Sequence, residues 1–210
     1  MFLHFTEDSY EKALIGLFQS MGYEYAYGPD IERNYQEPYY LNQVWASLPI
    51  VNPSKHQNAI AEAIKKLTNI DSGDLAQKNG IFMDYLQNGI PVAYHDGKEI
   101  RHDIVYLIDY ENTHRNTFQI INQWTYVEKS EKRADLIVFV NGLPLVLVEL
   151  KSPSREETDA SAAYRQIKNY MFEIPSMFTY NAFCVMSDMM CSKAGTITSS
   201  EDRFMEWKTK

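Results

Sequence analysis

The sequence has 210 residues, of which 45% are hydrophobic and 13% aromatic, and its formal net charge at pH 7 is −8. That apolar content is enough for a buried core and excludes a disordered chain. The negative charge disfavours a general nucleic-acid coat, because non-specific affinity for DNA comes from neutralisation of phosphates by Lys and Arg.

Cysteine content and hydropathy indicate the cellular compartment in which the protein is expected. The two cysteines, Cys184 and Cys191, are too few for a disulfide framework and lack metal-site spacing, which favours a reducing cytoplasm. The sequence shows neither a signal peptide nor a long apolar span. We therefore expect a cytoplasmic protein with no membrane partner.

The amino-terminal part is predicted to begin with a helix over about residues 9–21. Asp8 and Glu11 stand at capping-box spacing, and Gly22 ends the pattern. The following segment, 23–40, is rich in tyrosine and turn residues and is interpreted as irregular.

Two more helices are predicted in the next stretch. Asn52-Pro53 opens the first of them, and Asp71 or Ser72 opens the second, which ends near Gly89. We interpret this stretch, about residues 52–89, as a helical insertion beside a core formed by about residues 1–22 and 90–200, all within one domain.

The rest of the chain, from residue 91 onward, is predicted to contain several strands and one helix. The helix reaches about Phe172 and is capped by Ser154 with Glu157, or else by Thr158. Alternating or apolar runs predict strands at residues 91–94, 99–110, 117–127 and 181–187.

The most informative stretch is a predicted β-hairpin between Arg133 and Pro153. Two apolar, β-branched runs flank Asn141-Gly142, the strongest short-range signal for a hairpin turn. Asp135 stands where the first strand is expected to begin, and Glu149 and Lys151 stand where the second one ends. The placement of these three charges is hard to explain by folding alone.

Strand geometry places Glu149 and Lys151 on one surface, because alternate side chains point to the same face. Both faces of each strand are otherwise apolar, which predicts a central sheet covered on both sides. Charges held in such a sheet must be paired or must ligate a metal.

These residues carry a resemblance to a known family. Asp135, followed by Glu149-Leu150-Lys151, resembles the PD-(D/E)xK nuclease motif. The sequence segment Arg-Ala-Asp…Asn-Gly-Leu-Pro-Leu…Glu-Leu-Lys is similar to the amino-terminal nuclease domain of the type I restriction enzyme motor (R) subunit. Gln166 and Tyr170 match the Gln-x-x-x-Tyr motif of the RecB-like branch, while Ala134 stands where the motif usually has proline.

The resemblance implies a fold and an activity. The fold is an α/β/α restriction-endonuclease-like core with a central mixed β-sheet flanked by helices, and the activity is metal-dependent hydrolysis of double-stranded DNA. Mg²⁺ prefers hard oxygen ligands, and Asp135, Glu149 and the Leu150 carbonyl supply them. Lys151 would orient the attacking water or neutralise developing charge. Family likeness also suggests Glu11 as a metal ligand, although a capping role explains that residue equally well.

Gln166 and Tyr170 have two possible roles. Four residues apart on a helix, they share a face. The resemblance implies that they contact the DNA backbone or brace the site. Without the resemblance, a Tyr170 packed in the core and a solvated Gln166 would be the better interpretation.

The resemblance also implies partners. The family's subunit carries ATP-driven translocase domains after the nuclease domain, but no G-x-x-x-x-G-K phosphate loop occurs in this sequence, so ATP would act only through domains absent from this chain. We interpret the chain as an amino-terminal fragment that acts with specificity and modification (methyltransferase) subunits, which use S-adenosylmethionine in this family. The five histidines form no H-x-H or H-x-x-x-H pair, which disfavours a zinc nuclease.

The residues alone also allow interpretations other than a catalytic site in a type I restriction enzyme. A salt bridge of Lys151 with Asp135 or Glu149 would explain the three charges without catalysis. The chain could also be a non-catalytic module that docks on a translocase, or a free-standing PD-(D/E)xK nuclease.

One geometric condition separates these interpretations. A regular two-residue Asn141-Gly142 loop would set Asp135 opposite Val148 and turn it away from Glu149. A shared cation therefore requires an odd-numbered loop or a β-bulge, either of which places Asp135 opposite Glu149.

Overall fold

The computed structural model describes residues 6–71, 73–151, 160–188 and 191–206. In these residues the chain forms six α-helices and nine β-strands. The helices are α1 (Glu7–Ser20), α2 (Leu41–Val51), α3 (Gln57–Thr68), α4 (Leu75–Asn88), α5 (Ala160–Glu173) and α6 (Pro175–Thr179). The strands are β1 (Glu24–Tyr27), β2 (Ile90–His95), β3 (Ile100–Val105), β4 (Phe118–Val127), β5 (Glu131–Val140), β6 (Leu143–Leu150), β7 (Phe183–Ser187), β8 (Ser192–Gly195) and β9 (Met205–Glu206).

A seven-stranded mixed sheet forms the centre of the fold, in the order β1-β4-β5-β6-β7-β8-β9. The pairs β1–β4 and β6–β7 are parallel, and the other neighbours are antiparallel. The predicted α/β class with a central mixed sheet flanked by helices is confirmed.

Helices cover both faces of this sheet, as the two-sided apolar pattern of β5 and β6 predicted. On one face, Ile15 of α1 packs against Leu136 and Val148. On the other face, Ile167 of α5 packs in a cluster that contains Ile137. The central hairpin thus has a helix layer on each side.

A third apolar cluster lies around the turn end of the β5–β6 hairpin. It joins helices α2, α3 and α4 and the separate two-stranded sheet β2–β3 to Leu143 and Leu145. Helices α3 and α4, predicted as an insertion over about residues 52–89, pack here with α2 and with the β2–β3 hairpin, which the sequence analysis placed in the core. The bounds of the insertion stay a prediction. The strand predicted over residues 99–110 ends earlier, at Val105.

Several predicted helix starts are wrong, because a different polar residue supplies the cap. Thr6 and Ser9 form the capping box of α1, so Asp8 and Glu11 do not. His56 caps α3, which therefore begins after Asn52-Pro53 rather than at it.

The start of α4 is also corrected: Asp74 with Gln77 caps it, not Asp71. The alternative cap Ser72 lies outside the described residues, as do the predicted caps Ser154, Glu157 and Thr158 of α5.

Some elements are absent from the sequence prediction. The segment 23–40, interpreted as irregular, contains the short parallel strand β1. Helix α2 was missed as well, and it contains Pro49 in its interior. The short elements α6, β8 and β9 complete the carboxyl-terminal side of the sheet. Within the described part of the chain, no helix is long and apolar enough to cross a membrane.

Candidate active site

The turn of the central hairpin is the predicted two-residue loop. Asn141 and Gly142 both have positive φ, 53° and 82°, which is the type I′ geometry that matches strand twist. Val140 therefore pairs with Leu143. By itself this register would turn Asp135 away from Glu149.

A β-bulge in β6 corrects the register. Phe139 pairs with Pro144, but Val138 pairs with Val146, so Leu145 is the extra residue. The Leu145 carbonyl accepts hydrogen bonds from the Ala182 amide at 2.7 Å and from Asn181 Nδ2 at 3.3 Å. The start of β7 thus satisfies the backbone group that the bulge exposes.

Beyond the bulge, Leu136 pairs with Val148, and the same register continued by one residue would set Asp135 opposite Glu149. The bulge therefore satisfies the register condition, while a cation shared by the two carboxylates stays a prediction. One detail of the prediction is wrong: β5 begins at Glu131, so Asp135 lies inside the strand rather than at its beginning.

Asp135 is half-buried and contacts the next strand. Its Oδ2 accepts a hydrogen bond from the Leu150 amide at 2.9 Å. Burial raises the pKa of the Asp135 carboxyl to about 6, against the opposing effects of the Leu150 hydrogen bond and the positive charge of Lys151.

Glu149 and Lys151 form a buried ion pair. Glu149 is fully buried, and Lys151 Nζ lies 2.5 Å from its Oε1. Burial, together with the nearby Asp135 carboxylate, raises the pKa of Glu149 to about 8, although Lys151 opposes the shift. The salt bridge that the non-catalytic interpretation predicted is therefore present, between Lys151 and Glu149.

The oxygens around this pair fit a cation. Lys151 Nζ contacts Glu149 Oε1 and the Leu150 carbonyl, the latter at 3.0 Å, so two of the three predicted metal-ligand groups already converge on one positive charge. Among the residues that the structure describes, the other carboxylate oxygen of Glu149, Oε2, is buried and has no hydrogen-bond partner. A buried carboxylate oxygen in that state lacks a partner that a metal ion could provide.

The ligand types agree with a hard cation. In the described ranges, no group of three or more His, Cys, Asp or Glu side chains is arranged to hold a metal ion. Mg²⁺ does not need such a group, since it commonly binds one or two carboxylates and keeps several waters. The set Asp135, Glu149 and Leu150 carbonyl suits Mg²⁺ better than zinc.

A polar cleft of about 710 Å³ opens beside Asp135. Helix α1 contributes Glu11 to its wall and helix α5 contributes Gln166, although the two helices pack on opposite faces of the sheet. Glu149 lies outside the lining and is buried. The charged groups that line the cleft are Glu7, Asp8, Glu11, Lys12, Arg133 and Asp135.

Gln166 and Tyr170 contact each other and the strand that carries Asp135. Gln166 Nε2 donates to Tyr170 Oη at 2.8 Å, and Tyr170 Oη donates to the Arg133 carbonyl at 3.1 Å. Burial raises the pKa of Tyr170 above its ordinary value, so the phenol stays a hydrogen-bond donor at neutral pH. The pair braces β5 two residues before Asp135, and a DNA contact by either residue stays a prediction.

Glu11 lines the cleft, but β4 occupies both of its carboxylate oxygens. Asn122 Nδ2 donates to Oε1 at 2.6 Å, and Gln123 Nε2 donates to Oε2 at 2.9 Å. The role of Glu11 as a metal ligand stays a prediction. The sequence analysis missed Asn122 and Gln123. The available signal was a polar residue, Asn122, within the alternating apolar series Phe118, Ile120, Trp124 and Tyr126.

Comparisons with known proteins agree with the resemblance. The sequence model of the family described as type I restriction enzyme R protein N terminus matches residues 4–203. The HindI endonuclease subunit of Haemophilus influenzae is 33% identical in an alignment that covers 97% of this chain and 20% of that subunit. The EcoprrI endonuclease subunit of Escherichia coli is 28% identical over 182 residues, covering 78% of this chain and 56% of that protein.

Proposed function

The chain belongs to the family of type I restriction enzyme R protein N termini, and on that premise we propose that it is a metal-dependent endonuclease domain that hydrolyses DNA phosphodiester bonds. The observation that supports the proposal is the bulged register of β5 and β6, in which Leu136 pairs with Val148 and the next position would bring Asp135 opposite Glu149. A regular two-residue hairpin would have separated them, so the bulge serves the site as well as the sheet.

The residues that would hold the cation are Asp135, Glu149 and the Leu150 carbonyl. Mg²⁺ bound there would lower the pKa of an attacking water and stabilise negative charge on the phosphate oxygens. The chain's own contribution is a pair of carboxylates with raised pKa values. A divalent cation bound between them would stabilise the charged forms that burial disfavours.

Lys151 supplies a positive charge next to these carboxylates. Its side chain is only 14% exposed, so its charge is weakly screened. With a phosphate in the cleft, the ammonium group can leave Glu149 Oε1, orient the attacking water and neutralise charge that develops on the phosphate.

Gln166, Tyr170 and Arg133 support the strand that carries Asp135. The Tyr170 hydrogen bond to the Arg133 carbonyl fixes the backbone of β5, while the Arg133 side chain is exposed and lines the cleft. A guanidinium there can pair with a DNA phosphate through two hydrogen bonds. Gln166 is half-buried beside it and can donate to the DNA backbone.

The charge of the cleft supports action within a larger assembly. Its lining holds four acidic residues against two basic ones, so phosphate entry requires neutralisation from elsewhere. The chain spans about one fifth of the HindI subunit. We propose that the cation and partners supply the missing positive charge: translocase domains of the same subunit, which use ATP, and specificity and modification subunits that hold double-stranded DNA.

A non-catalytic docking module on the translocase is the second candidate, favoured by the acidic cleft and by the Lys151–Glu149 ion pair. Asp135→Ala separates the two functions. In the assembled restriction complex with Mg²⁺ and ATP, the variant should lose DNA cleavage while its circular dichroism and its ATP hydrolysis stay normal.

The matched control is Asp84→Ala, which removes an exposed carboxylate on α4 and should cut normally. If the complex carrying Asp135→Ala cleaves DNA at the wild-type rate, the nuclease assignment is wrong and the docking module is supported.

A further inference from the structure

Strand β4 contains a strained residue at its centre. Gln123 has a φ of 55°, in the left-handed region that residues with a β-carbon avoid. In the described part of the chain, the other non-glycine residue with positive φ is Asn141, which a type I′ turn requires. No turn explains Gln123, and strained backbone persists only where surrounding contacts hold it.

The strained residue interrupts the sheet beside the proposed catalytic aspartate. Asn122 pairs with Leu136 and Trp124 pairs with Ala134, so the position between them would set Gln123 opposite Asp135. That pair is missing from the ladder. The break in the pairing of β4 with β5 thus falls at Asp135.

Contacts from two other elements hold the kink in place. Glu11 of α1 accepts hydrogen bonds from the side chains of both Asn122 and Gln123. Gly28, which follows β1, packs so closely that a β-carbon there would lie 2.8 Å from the Asn122 carbonyl oxygen and 2.9 Å from that of Gln123. Tyr25 Oη donates to Asn122 Oδ1 at 3.1 Å.

The break has a consequence for the cleft. Asp135 shares one cleft with Glu11 of α1 and with Gln166 of α5, although these helices cover opposite faces of the sheet. In a regular sheet, a strand side chain points towards the helix layer on one face only. It can face a cleft shared by both helix layers where the pairing with the neighbouring strand is interrupted. The kink at Gln123 provides that opening, and the Asp135 carboxylate lies along the sheet against the Leu150 amide.

We propose that Gln123 is a positioning residue of this site: anchored by Glu11, it holds the left-handed kink in β4 that directs Asp135 into the cleft. In this arrangement Glu11 acts through hydrogen bonds to β4. The proposal rests on the proposed nuclease function for its catalytic meaning, but the geometric claim is independent of any metal.

Two substitutions distinguish the effect of the backbone kink at residue 123 from the effect of the side-chain hydrogen bond. Gln123→Ala removes the anchor and keeps a β-carbon, so β4 should relax towards regular pairing with β5. Gln123→Gly removes the same anchor, but glycine adopts positive φ without strain and should keep the kink. Gln119→Ala is the control, because Gln119 lies on the same strand in the regular ladder and outside the cleft lining.

The first measurement is hydrogen exchange of the Leu150 amide in EDTA, which reports the Asp135 hydrogen bond without metal. We expect at least about tenfold faster exchange in Gln123→Ala and near wild-type exchange in Gln123→Gly and Gln119→Ala, with all variants folded by circular dichroism. Unchanged exchange in Gln123→Ala, or equal acceleration in Gln123→Ala and Gln123→Gly, overturns the proposal.

The second measurement is Mn²⁺ affinity by calorimetry, and it keeps the two proposals apart. A wild-type protein that binds no Mn²⁺, with the predicted exchange pattern intact, contradicts the nuclease site and supports the positioning role. A wild-type protein that binds Mn²⁺ equally well when Gln123 is alanine contradicts the positioning role and leaves the nuclease site standing.

Discussion

Replacing Asp135 by asparagine should stabilise the metal-free protein at alkaline pH. The folded-state pKa of this carboxyl is about 6, above its ordinary value of 3.8, because burial disfavours the ionised form. The wild-type protein therefore loses stability as the pH rises from about 4 through about 6. Asparagine cannot ionise, and its side-chain oxygen can still accept the Leu150 hydrogen bond.

The size of the stability difference follows from the pKa shift of Asp135. One pKa unit corresponds to about 1.4 kcal/mol, so ionising Asp135 in the folded state costs about 3 kcal/mol at pH 8. Between about pH 4.5 and pH 8, the free energy of unfolding of Asp135→Asn should rise by about 2 kcal/mol relative to wild type. That difference corresponds to a relative increase of about 4–8 °C in the melting temperature.

Urea unfolding of both proteins in EDTA at the two pH values measures this difference, and the comparison cancels the titration of unrelated groups. Adding Mn²⁺ at pH 8 should then stabilise the wild type and leave the asparagine variant unchanged, because a ligand stabilises only a state that binds it. A stability difference that does not vary with pH would show that Asp135 is not desolvated as described.

Three further outcomes follow from the same contacts. Lys151→Met should bind Mn²⁺ at least as tightly as wild type and lose cleavage, because Lys151 competes with the metal for Glu149; a tenfold weaker affinity by calorimetry would contradict this. Gln166→Ala should reduce cleavage without weakening metal binding, and a large loss of Mn²⁺ affinity would place Gln166 among the ligands instead. Gly142→Ala should destabilise the fold by about 2–3 kcal/mol, because φ is 82° and a β-carbon would lie 2.6 Å from the Tyr40 carbonyl oxygen; an unchanged urea midpoint would refute that account.

The central hairpin could be predicted from the sequence, but its bulge could not. The Asn141-Gly142 turn can be predicted locally, because asparagine and glycine are the residues that best tolerate the positive φ angles of a two-residue hairpin loop. Leu145, the bulged residue, lies in a strand that is apolar on both faces, so a slip of one residue leaves the pattern of burial unchanged. The need for Asp135 and Glu149 to meet was the one available indication, and it pointed to an irregularity without locating it.

Elements that depend on distant contacts were missed. Strand β1 has four residues and pairs in parallel with β4, which lies about ninety residues later in the chain. Helix α2 contains Pro49, a residue that normally argues against a helix, and tertiary packing of Leu48 and Val44 in the insertion outweighs that local signal.

The candidate site likewise contains residues with a local sequence signal and residues whose conformation depends on distant contacts. Asp135, Glu149 and Lys151 could be singled out from their placement in apolar strands, and the family resemblance implied their role in a site. Gln123 was not predicted, because left-handed backbone at a glutamine has no sequence signature and is held by contacts with Glu11 and Gly28, which are distant in the sequence.

The central claim is that Asp135 and Glu149 share one divalent cation, and a Mn²⁺ titration monitored by electron paramagnetic resonance tests it most directly. The wild-type chain, Asp135→Ala, Glu149→Ala and the control Asp84→Ala are compared at pH 8. We predict a Mn²⁺ site in the wild type and the control, weakened at least about tenfold in both site variants. A wild-type chain without bound Mn²⁺, or site variants that bind as tightly as wild type, would contradict the account.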